Sequence, residues 1–323
     1  MRIFTSIKIT FANKKLCYKT LVYKFVICAI FLILFSSLAK SVVVPILESD
    51  GAKGILSCLR QIINNYLTID KFVLEEGSKL SMELMANFNL LFSYISSMSS
   101  KLVWSAVALL VALLILTFFD TLIEYIVAVN VNEHMSSICH AGIISTLIEN
   151  FKKASVYAIA KTLFLFIYNA IIVLIIYLTA IPLIKMSAFY ALTLIFFLAF
   201  IAVSIRIAFT SLLLPYMVCE NLNISKAFNK CFDDLKFSMF LERVVAYFLA
   251  SIIAYSVVLL TSIITFGIAL LITIPIFTIT FVSIRFVDYY NVNQLKYYIT
   301  YDEIYVSKKF RSKDEQLLNE VDM

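Results

Sequence analysis

The chain has 323 residues, 62% of them hydrophobic and 15% charged, against roughly 45–50% and 25% in an ordinary soluble domain. A chain this apolar (mean hydropathy +0.95) cannot cover itself with polar surface, which excludes a soluble globular fold and makes lipid its solvent. The net charge of +6 is then read by where it falls along the loops, not as a sign of nucleic-acid binding.

Residues 1–24 carry Arg2, Lys8, Lys14, Lys15, Lys19 and Lys24 and no acid. The apolar run 25–47 follows, broken only by Lys40. Ser37-Leu38-Ala39 has the small residues of a signal-cleavage site, so residues 1–39 read as a cleaved signal are the alternative here. The apolar character continues through Val42, Val43 and Val44, and 25–47 is therefore expected to be the first transmembrane helix, with Lys40 reaching for the far interface. Residues 48–100 are polar enough to leave the bilayer. Ile55, Leu59, Ile62, Ile63 and Tyr66, then Leu80, Leu84, Phe88 and Leu91, recur at helical spacing. This predicts one or two amphipathic helices in an extracytoplasmic insertion.

The second span is expected over 102–129, the third over 162–184 and the fourth over 187–217, interrupted by Arg206 and Pro215. A loop with Glu133, His134, His140, Lys152, Lys153 and Lys161 joins the second to the third, and residues 219–243 join the fourth to the fifth. No charge occurs over 244–284, twice the length of about 20 residues that one span needs. The fifth and sixth spans are thus 244–263 and 267–285, turning at Thr265-Phe266-Gly267, with Pro275 kinking the sixth. Residues 286–323 form a polar tail. Of the 27 Lys and Arg, 19 fall in 1–24, 152–161, 226–243 and 285–313, and six in the loops of the opposite side. This asymmetry predicts that both termini are cytoplasmic. Richness in Ile, Phe, Lys, Asn and Tyr suggests an AT-rich bacterial genome, hence a bacterial cytoplasmic membrane. The six cysteines are scattered without a CxxC pair and read as packing thiols.

Val203-Ser204-Ile205-Arg206 recurs as Val282-Ser283-Ile284-Arg285, and Ile144-Ser145 as Ile224-Ser225. After the first Ile-Ser, Ile144, Leu147, Ile148 and Phe151 oppose Glu149, Asn150, Lys152 and Lys153. After the second, Ala227, Phe228, Cys231 and Leu235 oppose Lys226, Lys230, Asp233 and Lys236. Helices of this kind lie flat in the membrane interface. Ile7, Phe11 and Leu16 with Lys8, Lys14 and Lys15 form a weaker third copy. The expected fold is an all-α polytopic bundle: about six transmembrane helices in a threefold repeat of interfacial helix and hairpin.

Asp120, Glu124, Arg206 and Arg285 fall at similar membrane depth and form a candidate intramembrane polar cluster, with Arg206 as the expected partner of Asp120 or Glu124. The sequence has no HExxH, P-loop, GxSxG or Rossmann fingerprint, so no enzyme activity, metal or cofactor is expected. Glu133, His134, Cys139 and His140 read as a solvated loop rather than a zinc site. Asp233 and Asp234 diverge by about 100° on a helix and fit a solvated face. Trp104, Tyr289, Tyr290, Tyr297 and Tyr298 read as interfacial anchors.

The stretch Leu214-Pro215-Tyr216-Met217-Val218-Cys219-Glu220-Asn221, followed by Ile224-Ser225-Lys226-Ala227-Phe228-Asn229-Lys230, resembles the membrane domain of glycerophosphoryl diester phosphodiesterase-like and related six-helix bacterial membrane proteins. Ala227 and Cys231 take the two small positions of the amphipathic helix. The resemblance covers roughly 206–285 and implies architecture only, because the catalytic domain's His and Glu metal-binding set is missing. The expected role is a non-enzymatic scaffold, lipid-interacting protein or partner subunit, with membrane lipids and a protein partner or second copy as partners. The alternative is a transporter or permease component using a polar cluster between the even-numbered spans.

Overall fold

A computed structural model describes residues 2–38, 40, 44–67, 74–97, 99–138, 142–186, 188–234, 237–265 and 267–305. The described chain is all-α apart from one small hairpin. Its helices are α1 (Arg2–Ala12), α2 (Lys14–Leu38), α3 (Val44–Glu48), α4 (Asp50–Leu67), α5 (Leu74–Ser97), α6 (Ser99–Ser137), α7 (Ile143–Met186), α8 (Ala188–Phe209), α9 (Leu213–Cys219), α10 (Ile224–Asp233), α11 (Phe237–Ile264) and α12 (Leu270–Val292). Strands β1 (Tyr297–Tyr298) and β2 (Ile304–Tyr305) pair antiparallel. Six segments are long and apolar enough to cross a membrane: Lys14–Ile33, Val103–Ser137, Ile143–Ala180, Thr193–Cys219, Phe237–Ile264 and Leu270–Val292.

The six expected spans are present, with shifted bounds. The first helix starts at Lys14 instead of 25 and ends at Leu38, and a separate short helix follows from Val44. Helix nucleation is costly and extension is cheap, so a span runs on past the bilayer wherever the flanking residues are helix-compatible. The same effect lengthens α6 and α7. The loop expected between the second and third spans shrinks to a few residues, and the stretch containing Lys152, Lys153 and Lys161 is part of α7.

The chain divides into two compact units. The first comprises 1–27, 118–163 and 203–323, the second 28–117 and 164–202. In the first unit α1 lies against α12, and α9 against α10. One core gathers Ile9 and Leu16 with Ile123, Ile126, Val127, Val131, Tyr157, Leu214, Tyr216, Ala227, Ile279 and Phe286. Between α1 and α2, Asn13 turns its amide back onto the Ile9 carbonyl at 3.0 Å, the local competition that breaks a helix at such residues. The fourth span breaks at 210–212. Pro215 has no N–H to bond the Ser211 carbonyl four residues back, so α8 stops and α9 restarts with Pro215 in its first turn, where proline is tolerated. At the turn between α11 and α12, Gly267 has φ +88°, a left-handed conformation that glycine adopts without strain. Phe266 of the expected turn lies outside the described residues.

In the second unit α4 and α5 form an antiparallel pair with Cys58, Ile62, Leu80 and Leu84 between them. The contact is close because Gly51 and Gly54 have no side chain: a Cβ on Gly51 would lie 2.4 Å from the Leu91 backbone nitrogen. This pair is the amphipathic insertion expected over 48–100. Elsewhere in the unit Tyr168 donates from its hydroxyl to the Ala202 carbonyl at 2.7 Å, and Ala112 is fully buried. Much of the remaining surface of α6, α7 and α8 here is exposed and apolar: Val103, Leu113, Ile167, Val173, Leu174, Leu178 and Phe197.

Candidate functional site

The polar centre of the first unit is Glu124. One oxygen of its carboxylate accepts from Lys161 Nζ and the other from Arg285 Nη1. All three side chains are about nine-tenths buried. Each comes from a different helix, α6, α7 and α12. Lys161 also donates to the Tyr157 hydroxyl at 3.2 Å, one turn earlier on α7, and the Tyr157 ring packs 5.6 Å from that of Tyr125. One carboxylate serves two cations, so the group carries a net charge of +1. Burying ions is repaid only when they are paired and hydrogen-bonded, and here the shared carboxylate ties three helices together.

Asp120, one turn before Glu124, pairs with Lys24 at 2.7 Å and is more than half exposed. Lys24 also donates to Thr278 Oγ1 at 2.8 Å. Glu124 thus engages Lys161 and Arg285, and Asp120 engages Lys24. Arg206 is half-buried in the last turn of α8. Of the four expected residues the structure joins Glu124 and Arg285 directly, and Asp120, one turn away on α6, has Lys24 as a partner of its own. Lys161 is not among the residues that stand out in the sequence, because a lysine near a span end reads as a loop cation. The signal was Tyr157 and Lys161 at i, i+4 beside Ala154 and Ala158, a small-and-polar face suited to helix packing in lipid.

A second buried pair joins α11 to α12, with Arg243 Nε 3.3 Å from Asp288 Oδ2 and both side chains at most 3% exposed. A third group surrounds α9 and α10. The Tyr216 hydroxyl donates to Asp234, Lys230 donates to Glu220 at 2.6 Å, and the Tyr289 hydroxyl donates to the same carboxylate at 3.1 Å. Asn132 Oδ1 accepts from Tyr290 at 3.0 Å and from Cys219 at 3.1 Å. Tyr289, Tyr290 and Tyr297, expected as interfacial anchors, are buried in this layer. Their rings run edge-to-face and stacked through Tyr216, Tyr289, Tyr290, Tyr297 and Tyr305. Tyr298 is half-buried, and Trp104 is exposed, as an anchor would be. Burial raises the Tyr297 phenol above its ordinary range and pushes the Cys231 thiol on α10 up to about 12; both groups stay protonated and inert.

His134, expected in a solvated loop, is instead fully buried near the end of α6, with Nε2 3.4 Å from the Ile299 carbonyl. Helix α6 runs on past the bilayer and carries it under the hairpin. Cys139 and His140 lie outside the described residues, as do Leu235, Lys236 and the tail beyond 305. Asp234 is not on a solvated face but takes the Tyr216 hydroxyl, while Asp233 is exposed as expected.

The two expected interfacial stripes share one arrangement, although the first forms the opening turns of α7 and only the second is a separate helix, α10. At the start of α7 Ile143, Thr146, Ala154, Tyr157, Ala158 and Thr162 are buried, while Ile144, Ile148 and Phe151 are exposed. On α10 the two small residues Ala227 and Cys231 are buried, while Phe228 and Phe232 are partly exposed and set their rings edge-to-face against Phe209 of α8. In α1 the buried face is Thr5, Ser6, Ile9 and Thr10, with Phe4 and Phe11 exposed. In each case small and polar residues face the protein, and most of the large apolar ones face out, as in membrane-embedded helices.

The sequence matches no protein-family model, no curated protein and no solved structure. The six long apolar helices themselves place the chain among multi-pass membrane proteins of all-α fold.

Proposed function

We propose that this chain is a non-enzymatic, lipid-interacting scaffold or partner subunit of a bacterial cytoplasmic membrane, with both termini in the cytoplasm. The observation that carries the reading is a set of three segments in one unit, each with large apolar side chains exposed next to exposed lysines. They are Phe4 and Phe11 with Lys14 and Lys15, Ile144, Ile148 and Phe151 with Lys152, and Phe228 and Phe232 with Lys226. An apolar side chain beside a cation suits the boundary between acyl chains and anionic headgroups. The lysine-rich segments hold this side in the cytoplasm by the charge asymmetry of the loops. Residues 122–128 are all buried around Glu124, which supports a structural fastening at the ion triad over a solute pathway. The likeness of 206–285 to phosphodiesterase-linked membrane domains agrees with this reading through the buried small positions Ala227 and Cys231.

The test is lipid retention. The variant K14Q/K15Q/K152Q/K226Q is purified beside the parent from the same membranes, and bound phosphatidylglycerol and phosphatidylethanolamine are counted by native mass spectrometry. Retained phosphatidylglycerol is expected to fall at least twofold with phosphatidylethanolamine unchanged. Equal retention of phosphatidylglycerol in both proteins would refute the reading.

A further inference from the structure

Several polar atoms of α11 and α12 are sealed from solvent and have no hydrogen-bond partner among the described residues: Arg243 Nη2, Ser251 Oγ, Ser283 Oγ, Arg285 Nε and Asn291 Oδ1. Arg243, Ser251, Ser283 and Arg285 are each more than nine-tenths buried. Their placement is ordered. Arg243, Tyr247 and Ser251 follow one another at four-residue spacing and so share one face of α11. That face is turned to α12, because Arg243 meets Asp288 at 3.3 Å and the Tyr247 ring stacks on Phe281 at 6.5 Å. Ile284 closes on Tyr247 from the same side. The side chains beside the row are small: Ala208, Ala250 and Ala254 are all buried. By the helical rise the row extends about 12 Å along α11 from Arg243 to Ser251, reaching the middle of the Phe237–Ile264 span.

Buried polar groups in folded proteins are almost always satisfied by protein or by ordered water. This set mixes guanidinium donors, hydroxyls that both donate and accept, and an amide oxygen that only accepts. An anion would satisfy the donors but meet the Asp288 carboxylate, and a cation would meet Arg243 and Arg285. Water alone can bond to every member. We propose that the α11–α12 seam binds a file of ordered waters running from the Arg243–Asp288 pair to Ser251, a hydrated track inside two membrane spans. Beyond Ser251 the next buried residue on that face is Ala254, so the track is blind-ended.

Hydroxyl-radical footprinting of the whole protein in nanodiscs tests this, because radiolysis of bound water labels the side chains that touch it. Tyr247 and Phe286 are both fully buried aromatics, but only Tyr247 lines the seam. Tyr247 is expected to be labelled at least tenfold faster than Phe286; equal rates would overturn the proposal. A second measurement uses Ser251→Ala, with the exposed Ser256→Ala on the same helix as reference. If the Ser251 hydroxyl holds water, its loss lowers the melting temperature below that of the reference. If the seam is dry, losing an unmet hydroxyl raises the melting temperature above the reference, and the water file is excluded.

Discussion

Helices α6, α7 and α8 contribute to both units, yet their residues live differently in the two. In the first unit, residues 122–128 of α6 are buried, and α7 buries Ala154, Tyr157, Ala158 and Thr162. In the second, α7 leaves Ile167, Ile171, Val173, Leu174 and Leu178 exposed, and α6 exposes Val107, Leu109 and Leu113. Hydropathy does not separate the two, since both are apolar enough to sit in a membrane. What separates them is side-chain size and polar anchoring. Small residues let backbones approach, and Glu124, Thr121 and Asn130 supply bonds between helices or along the chain. Lipid competes poorly for those bonds, whereas it solvates leucine as well as a neighbouring helix does.

The comparison can be broken most directly at its strongest point. Glu124→Gln leaves Lys161 and Arg285 buried without their counter-ion. The expected loss is about 3–5 kcal/mol, the usual cost of breaking a buried pair, seen as a large drop in melting temperature or in yield of folded protein in detergent. Lys161→Met retains the Glu124–Arg285 pair at net charge zero and should cost far less. If it proves as damaging as Glu124→Gln, the shared-carboxylate account is wrong. Ala227→Leu forces a large side chain into a fully buried site on α10. Overpacking there should cost about 1–3 kcal/mol, read as a lower melting temperature and faster amide exchange in α9 and α10.

Gly51→Ala brings the comparison to the second unit. Its new Cβ collides with the Leu91 backbone, so the α4–α5 pair must separate. Exchange protection over 74–97 should fall at least tenfold, while α12 keeps its protection. Matching losses in both regions would show that the units do not behave independently. The smallest effect is expected at an exposed apolar site of α7. Leu174→Ala should change stability in detergent by no more than about 0.5 kcal/mol. A larger loss in native membranes than in detergent would mean that a protein surface covers that face.

Much of this fold is legible in the sequence. The uncharged runs mark the spans, and Gly267 and Pro215 mark the turn and the break. The helical stripes of 48–100 mark the α4–α5 pair. The site was half legible. Glu124 and Arg285 stood out as charges at membrane depth, but Lys161 was hidden because a lysine near a span end reads as a loop residue. The large apolar sides of α1 and of the start of α7 face out, as the interfacial reading requires. An amphipathic stripe in water predicts its large apolar side as the packed one, and in lipid that preference reverses. Phe11 and Ile148 are exposed for this reason, while Thr10 and Thr146 are buried. His134 carried no usable signal, because the residues that cover it, Ile299 and Tyr301, are far away in the chain.

The way Glu124 divides its two oxygens also sets an order of events at the ribosome. Its first partner, Lys161, arrives with the very next span, so helices α6 and α7 can enter the membrane as a hairpin with that charge already neutralised. Arg285 is made 124 residues after Lys161, about 6–25 s later at ordinary elongation speeds. Until then the carboxylate has one of its two cations. The final span therefore arrives as a latch on a hairpin already inserted, and a chain cut short before residue 285 would be left with its membrane hairpin in place and unfastened.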